Sequence, residues 1–180
     1  MREIFNSTEG KKPSTFLITA LDDSELCNYL WAMQRSREKS VIRVCRGKKM
    51  HRTQGVFDEI SAVFQFPYYF GENWAALEDC LSDLSWLVSD SYLMCITASR
   101  DLLIEDDDVA FKYFVQSIDS VAHGWAGGNP NLELVGRVPL PFHVMMQVSS
   151  GDEADMQKKL QTHGIHSDLF ENLIIKKPSF

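Results

Sequence analysis

The stretch that organises this chain is residues 68–84, which read YYFGENWAALEDCLSDL. Pro67 ends whatever element precedes it, Gly71 permits a tight bend, and Asn73 is a favourable N-cap for the helix that we expect at about residues 73–84. Apolar residues then recur at helical spacing, which predicts one buried helix face made of Trp74, Leu77, Leu81 and Leu84.

The opposite face of this helix is acidic. Asp79 and Asp83 lie four residues apart near the helix C-terminus, where like charges and the helix dipole both disfavour them. No Lys or Arg stands three or four residues from either one. A helix whose exposed charges are unfavourable for folding and have no local partner is a candidate functional surface. We therefore expect the cation that pairs with these carboxylates to come from another molecule.

The same stretch resembles the signature of the barstar family, intracellular inhibitors of barnase-type secreted ribonucleases. The matching residues are Pro67, Tyr69, Gly71, Glu72, Asn73, Ala76, Leu77, Asp79, Cys80 and Leu81. The resemblance implies that Tyr69, Asn73 and Asp79 contact the basic active site of a nuclease. The family pattern expects an acid at the position of Ala75, and Glu78 stands where the best-known member has Trp.

Several of these residues also have plain structural explanations. Helix capping alone accounts for Asn73, and Phe70 and Trp74 are predicted to lie in the core. Tyr69, with its polar tip, suits an interface anchor. Glu78 and Asp83 are expected at the rim of the surface, where they steer association. The full set of candidate partner-binding residues is Tyr69, Glu72, Asn73, Ala75, Glu78, Asp79 and Asp83.

The 180-residue chain has a net charge of −7, and its acids are unevenly placed. Between Glu72 and Asp108 there are ten acids and one base, Arg100, whereas residues 1–60 hold eleven bases and eight acids. The negative electrostatic potential of the segment between Glu72 and Asp108 repels phosphate backbones and attracts basic surfaces. We therefore expect a basic protein partner and no direct binding of nucleic acid through this segment.

Other classes of protein are disfavoured by what the sequence lacks. No apolar run approaches membrane-spanning length, and residues 1–14 have no apolar segment typical of a secretory signal, so we expect a cytoplasmic protein with no membrane association. The four cysteines form no C-x-x-C pair and are predicted to be buried, reduced thiols. His163 and His166 lack further ligands, so no metal or other cofactor is expected.

The element order predicts an α/β fold. Residues 1–13 are a predicted flexible N-terminal arm, residues 14–40 add a strand and a helix, residues 41–149 form the core domain, and residues 150–180 add a helix and a strand. From residue 41 the order is strand, helix, helix, strand, helix, strand, typical of a mainly parallel sheet packed by helices. That agrees with the small three-stranded sheet that the family resemblance implies.

Two further segments have weaker signals. Residues 132–138 are predicted as a short strand or an extended loop, and the last strand is placed at residues 173–175.

The leading functional hypothesis is a barstar-like inhibitor, acting as an immunity protein or antitoxin. It would be a monomer that forms a heterodimer with a basic protein toxin, which we expect to be a secreted ribonuclease. One alternative is a binding module for a non-nuclease toxin or another basic protein. Another is a metal-dependent hydrolase built on residues 105–108 together with Asp79, because carboxylates are ligands of Mg²⁺.

Overall fold

The computed structural model describes residues 14–37, 39–128 and 138–170. Its helices and strands are β1 (Phe16–Thr19), α1 (Asp23–Ser36), β2 (Ser40–Arg46), α2 (Thr53–Phe64), α3 (Trp74–Asp83), β3 (Ser91–Thr97), α4 (Asp108–His123), β4 (Phe142–Gln147), α5 (Glu153–Thr162) and β5 (Ser167–Leu169). Short 3-10 turns follow β2 and β3, at Gly47–Lys49 and Ser99–Asp101, and a π turn at Gly124–Gly128 follows α4.

Three sequence predictions fall on other parts of the chain. The N-terminal arm at residues 1–13 and the strand at residues 173–175 lie outside the described residues, as does the segment 132–138 apart from Val138. Among the described helices, none combines the length and the apolar character needed to cross a lipid bilayer.

All five strands run parallel in one sheet, in the order β2-β3-β4-β1-β5. The predicted sheet of three strands is therefore too small. Strands β2, β3 and β4 are the three that were predicted, and the terminal additions extend the sheet beyond β4. Phe16 of β1 pairs with Val144 on one side and with Ser167 of β5 on the other.

Helices cover the two faces of the sheet unequally. The larger core lies on the face covered by α2, α3, α4 and α5, where alternate strand residues such as Tyr92, Met94 and Ile96 are buried. The smaller core lies under α1 and contains Leu93 and Cys95 from the other face of β3. The fold is thus an α/β sheet wound on both sides, with the acidic helix α3 on the heavily covered side.

Arg52 holds the N-cap position of α2, and the backbone amide and hydroxyl of Thr53, the first residue of the helix, both donate to the Asp106 carboxylate, at 2.6 and 2.5 Å. The prediction that all four cysteines are buried was wrong for one of them. Cys27 is exposed, because it lies on α1 beside Leu26 on the side of the helix that turns away from the sheet. The other three cysteines are buried as predicted.

Candidate functional site

Helix α3 begins at the cap that the sequence predicts. The Asn73 side-chain oxygen accepts a hydrogen bond from the backbone amide of Ala76, and its amide group donates to the Gly71 carbonyl, both at 2.9 Å. The left-handed residue of this turn is Glu72, with φ 46°, and not Gly71, to which we had assigned the bend. A Cβ at Gly71 would make a tight contact of 3.1 Å with the side-chain nitrogen of Asn73 and would press on the capping side chain.

A layer of aromatic rings supports the turn from beneath. The Trp74 ring packs edge-on against Phe57 of α2, and the Phe70 ring packs against Phe66, each with ring centroids 5.0 Å apart. Phe70 and Trp74 were predicted as core residues, and both pack against the core while keeping part of their surface in solvent. Edge-to-face contacts of this kind fix ring positions, so they hold the start of α3 in place.

Helix α4 and the turn after it pack against α3 along its length. Trp74 contacts Phe114, Glu78 contacts Ser120, and Leu81 contacts Trp125. Because the residue numbers of the contacting pairs increase together, the two helices run in the same direction. Leu77 and Leu81 are fully buried in this packing. The opposite side of α3 is left facing solvent.

Ala75 and Asp79 occupy the middle of that outer side, and both are exposed. In the described part of the chain, Asp79 makes no hydrogen bond and no ion pair. Its neighbours on the same helix supply no cation. The structure therefore leaves a carboxylate free at the centre of the surface that the sequence singled out.

The flanking acids are held by neighbouring hydroxyl groups. Glu78 is half-buried, and its carboxylate accepts a hydrogen bond of 2.6 Å from Ser120 of α4. Asp83 is also half-buried and accepts a hydrogen bond of 3.1 Å from Ser85. These hydroxyl contacts orient the two carboxylates on either side of Asp79.

Helix α2 adds an acid that the sequence analysis missed. The Gln54 side-chain amide donates to Asp58 and to Glu72, at 2.9 Å in each case, and so joins the acidic turn to the exposed side of α2. The four-residue spacing of Gln54 and Asp58 on a predicted helix was the only signal available for this pair. Its proximity to Glu72 depends on how α2 packs beside the turn.

Two exposed aromatic residues stand at the entrance to α3. Tyr68 and Tyr69 pack edge-to-face with ring centroids 5.7 Å apart, and 67% of Tyr69 is exposed. Exposed tyrosines at the start of a helix that carries a free carboxylate match the composition of protein interfaces, which are enriched in aromatic residues.

Cys80 lies on the buried side of α3 and takes no part in the outer surface. Burial raises the pKa of its thiol, and the nearby Asp79 and Asp83 carboxylates raise it further. A thiol with a raised pKa carries little thiolate, so this cysteine is suited to packing and not to nucleophilic chemistry.

The acids at residues 105–108 are dispersed among different partners. Glu105 pairs with Arg52 and His51, Asp106 binds Thr53, Asp107 caps α4, and Asp108 pairs with His163. Within residues 14–37, 39–128 and 138–170, no group of three or more His, Cys, Asp or Glu side chains is placed to hold a metal ion. The arrangement that the hydrolase hypothesis required is therefore not formed by the described residues.

Comparisons with known proteins agree with the signature at the start of α3. The family model described as Barstar (barnase inhibitor) matches residues 41–146, which run from β2 into β4. No curated protein matches the chain.

Two solved structures give weaker likenesses. One is Drosophila ORC bound to AT-rich DNA and Cdc6, with TM-score 0.44 and 10% identity over 88% of this chain and 48% of that chain. The other is the Aeropyrum pernix ORC2 protein in its ADPNP-ADP complexes, with TM-score 0.45 and 8% identity over 89% of this chain and 42% of that chain. The chain spans less than half the length of either.

Proposed function

Because this chain belongs to the barstar family of barnase inhibitors, we propose that it inhibits a ribonuclease by covering the basic active site of the enzyme with the outer face of α3. The observation that carries the proposal is the free carboxylate of Asp79, exposed at the centre of an acidic helix face. We call this surface, made of Tyr69, Glu72, Asn73, Ala75, Glu78, Asp79 and Asp83, the α3 face.

Physical reasoning assigns different roles to these residues. Asp79 is the carboxylate that meets the Arg and Lys side chains of a phosphate-binding site, because no internal cation satisfies it. Glu78 and Asp83 are already oriented by serine hydroxyls, so they add a directed field that raises the association rate. Tyr69 supplies an aromatic anchor at the margin.

The composition of the α3 face also sets its specificity. Ala75 presents a methyl group where the family expects an acid, and Asp58 with Glu72 places two carboxylates at the α2 side of the turn. We propose that the matching enzyme carries its cations towards that side. An inhibitor of this kind would protect the cell that makes the toxin, as an immunity protein in the cytoplasm does.

An inhibition assay tests the proposal. A barnase-type ribonuclease is titrated with the wild-type protein and with Asp79→Asn, and RNA cleavage is followed by fluorescence. Removing one partner of a desolvated charge pair costs about 2–5 kcal/mol, a range established in part on complexes of this family, so inhibition should weaken by at least about thirtyfold.

Asp155→Asn is the matched control, because it removes the same charge from an exposed position on α5. It should inhibit as well as the wild type. Equal inhibition by both variants would remove Asp79 from the interface. A nuclease that stays fully active with excess wild-type protein would reject that enzyme class as the target.

Ala75, which stands where the family pattern expects an acid, favours one alternative: the partner is a basic protein that is not a nuclease. The α3 face would still be the binding surface, but the partner would have a different activity. Capture of interacting proteins with the wild type and with Asp79→Asn separates the two cases. A basic protein that is lost with Asp79→Asn and has no RNA-cleaving activity would support this alternative over the first proposal.

A further inference from the structure

The carboxyl ends of the strands open into a crevice that is separate from the α3 face. It has a volume of about 1230 Å³ and is lined by the segments that follow β1, β2, β3 and β4. Ordinary small-molecule pockets measure roughly 300–1,000 Å³, so this one has room for a ligand of nucleotide size together with water.

The crevice lies where the winding of the sheet reverses. β1 and β4 are neighbours, but β1 leads through α1 to β2 on one side of the sheet order, and β4 leads through α5 to β5 on the other side. The two helices also cover opposite faces, since Leu30 of α1 and Leu160 of α5 belong to different cores. In open parallel sheets, ligands bind at such a reversal point, outside the carboxyl ends of the strands.

One side of the crevice is basic. The segments after β2 and β3 contribute its bases, which are Arg46, Lys48, Lys49 and Arg100. Arg46 is held by Glu59 and Arg100 by Asp152, whereas Lys48 and Lys49 are exposed and form no ion pair with any described residue. The one acid from the same segments is Asp101. Lys48 and Lys49 therefore give this side of the crevice positive charge, although the protein as a whole is negatively charged.

The other side is formed by Asp22 and Asp23 at the start of α1 and by serines after β4. The amides of this helix end are not open to an anion, because Asp22 caps the helix and Glu25 reaches back to the Asp22 amide. A phosphate is therefore repelled from α1 and drawn to Lys48 and Lys49. Carboxylates and serine hydroxyls on this side suit the hydroxyl groups of a sugar instead.

The floor between the two sides is held together by hydrogen bonds of one buried side chain. Gln147 is buried and donates to the Leu21 carbonyl and to the Asp23 carboxylate, both at 3.0 Å, while its oxygen accepts from the Ala98 amide at 3.3 Å. Ile104, 62% exposed, and the buried Val148 add apolar surface against which a flat base can lie. The site thus offers cations, hydroxyl partners and an apolar patch in one crevice.

We propose that this crevice binds a small phosphorylated sugar derivative of the nucleoside monophosphate class. Its phosphate contacts Lys48 and Lys49, and its sugar hydroxyls contact Asp22 and Asp23. The site is independent of the α3 face, so it can be occupied whether or not the protein inhibits a nuclease.

Calorimetric titration with AMP, ribose 5-phosphate and inorganic phosphate tests the proposal. We expect saturable binding of AMP to the wild type and a loss of at least about tenfold in affinity for Lys48→Ala/Lys49→Ala, because charge-assisted hydrogen bonds are lost. Lys112→Ala/Lys158→Ala is the matched control, since it removes two exposed lysines outside the crevice and should bind AMP normally. Circular dichroism checks that both double variants are folded.

The side-chain amide signals of Gln147 in an NMR spectrum give a second, local readout, and they should shift as AMP is added. Binding of ribose 5-phosphate as tight as that of AMP would confirm the sugar phosphate as the recognised part. Three results would overturn the proposal: no saturable binding at millimolar AMP, equal binding by both double variants, or phosphate alone binding as tightly as AMP.

Discussion

The indole nitrogen of Trp125 donates a hydrogen bond to the carbonyl oxygen of Leu81 across 2.9 Å, and both residues are buried. Leu81 lies in the last turn of α3, where carbonyl groups have no partner within the helix. Trp125, in the π turn after α4, therefore supplies a partner for a carbonyl at the end of the acidic helix. This contact ties the orientation of the α3 face to the core.

Trp125→Phe should destabilise the protein, because the buried Leu81 carbonyl would lose its donor. An unsatisfied buried polar group costs about 1–3 kcal/mol, and urea denaturation should show a loss of that size. Trp31→Phe is the control, since the Trp31 side chain on α1 is 65% exposed and its indole nitrogen can bond to water. A loss for Trp31→Phe as large as that for Trp125→Phe would contradict the argument.

Gly47→Ala should be among the most damaging substitutions in the chain. A Cβ at Gly47 would lie 2.4 Å from the carbonyl oxygens of Thr97 and Ala98, which belong to backbone that cannot rotate away. Overpacking of this kind costs about 1–3 kcal/mol or more. Gly124→Ala provides the comparison, because a Cβ there meets nothing within 4 Å and the backbone is helical. Thermal melting should separate the two variants clearly.

Local signals predicted α3 well. The Asn73 cap and the apolar stripe both lie within one short stretch, and the observed helix, Trp74–Asp83, falls within the predicted residues 73–84. The exposure of Ala75 and Asp79 follows from the same periodicity. Short-range rules are sufficient where a helix end is fixed by its own side chains.

Features that depend on distant segments were not predictable in this way. Strand β5 has three residues, Ser167–Leu169, without an apolar run, and it is a strand only because β1 offers an edge to pair with. The Gln54 link between Asp58 and Glu72 depends on the position of α2 beside the turn. The crevice draws on segments that follow four different strands, which only the strand order brings together.

The ion pair between Glu59 and Arg46 should make stability depend on pH. Glu59 is 5% exposed and accepts hydrogen bonds from the Arg46 amide and guanidinium, and the guanidinium hydrogen bond is the main cause that holds the pKa of Glu59 below its ordinary value of 4.5. A carboxyl group with a lowered pKa in the folded state adds stability above its unfolded pKa. That contribution is lost as the pH falls through the folded pKa.

Glu59→Gln should therefore lower the free energy of unfolding at pH 7, and its difference from the wild type should shrink as the pH is taken below about 4. Urea denaturation at a series of pH values measures this difference. Asp58→Asn, at the neighbouring exposed position of α2, should show a much smaller change at pH 7. A Glu59→Gln difference that stayed constant from pH 7 to pH 3 would show that packing, and not the charge, is responsible.

Asp79→Asn should leave the isolated protein as stable as the wild type or slightly more stable. Asp79 lies four residues before Asp83 in the second half of α3, so its charge opposes both a like charge and the helix dipole, at a cost of a few tenths of a kcal/mol. Urea midpoints measured at low and high salt should show this gain shrinking as screening increases. The same substitution should weaken nuclease inhibition, so stability and binding would change in opposite directions. That opposition distinguishes a residue retained for a partner from one retained for folding, and a marked loss of stability in Asp79→Asn would place Asp79 in the second class.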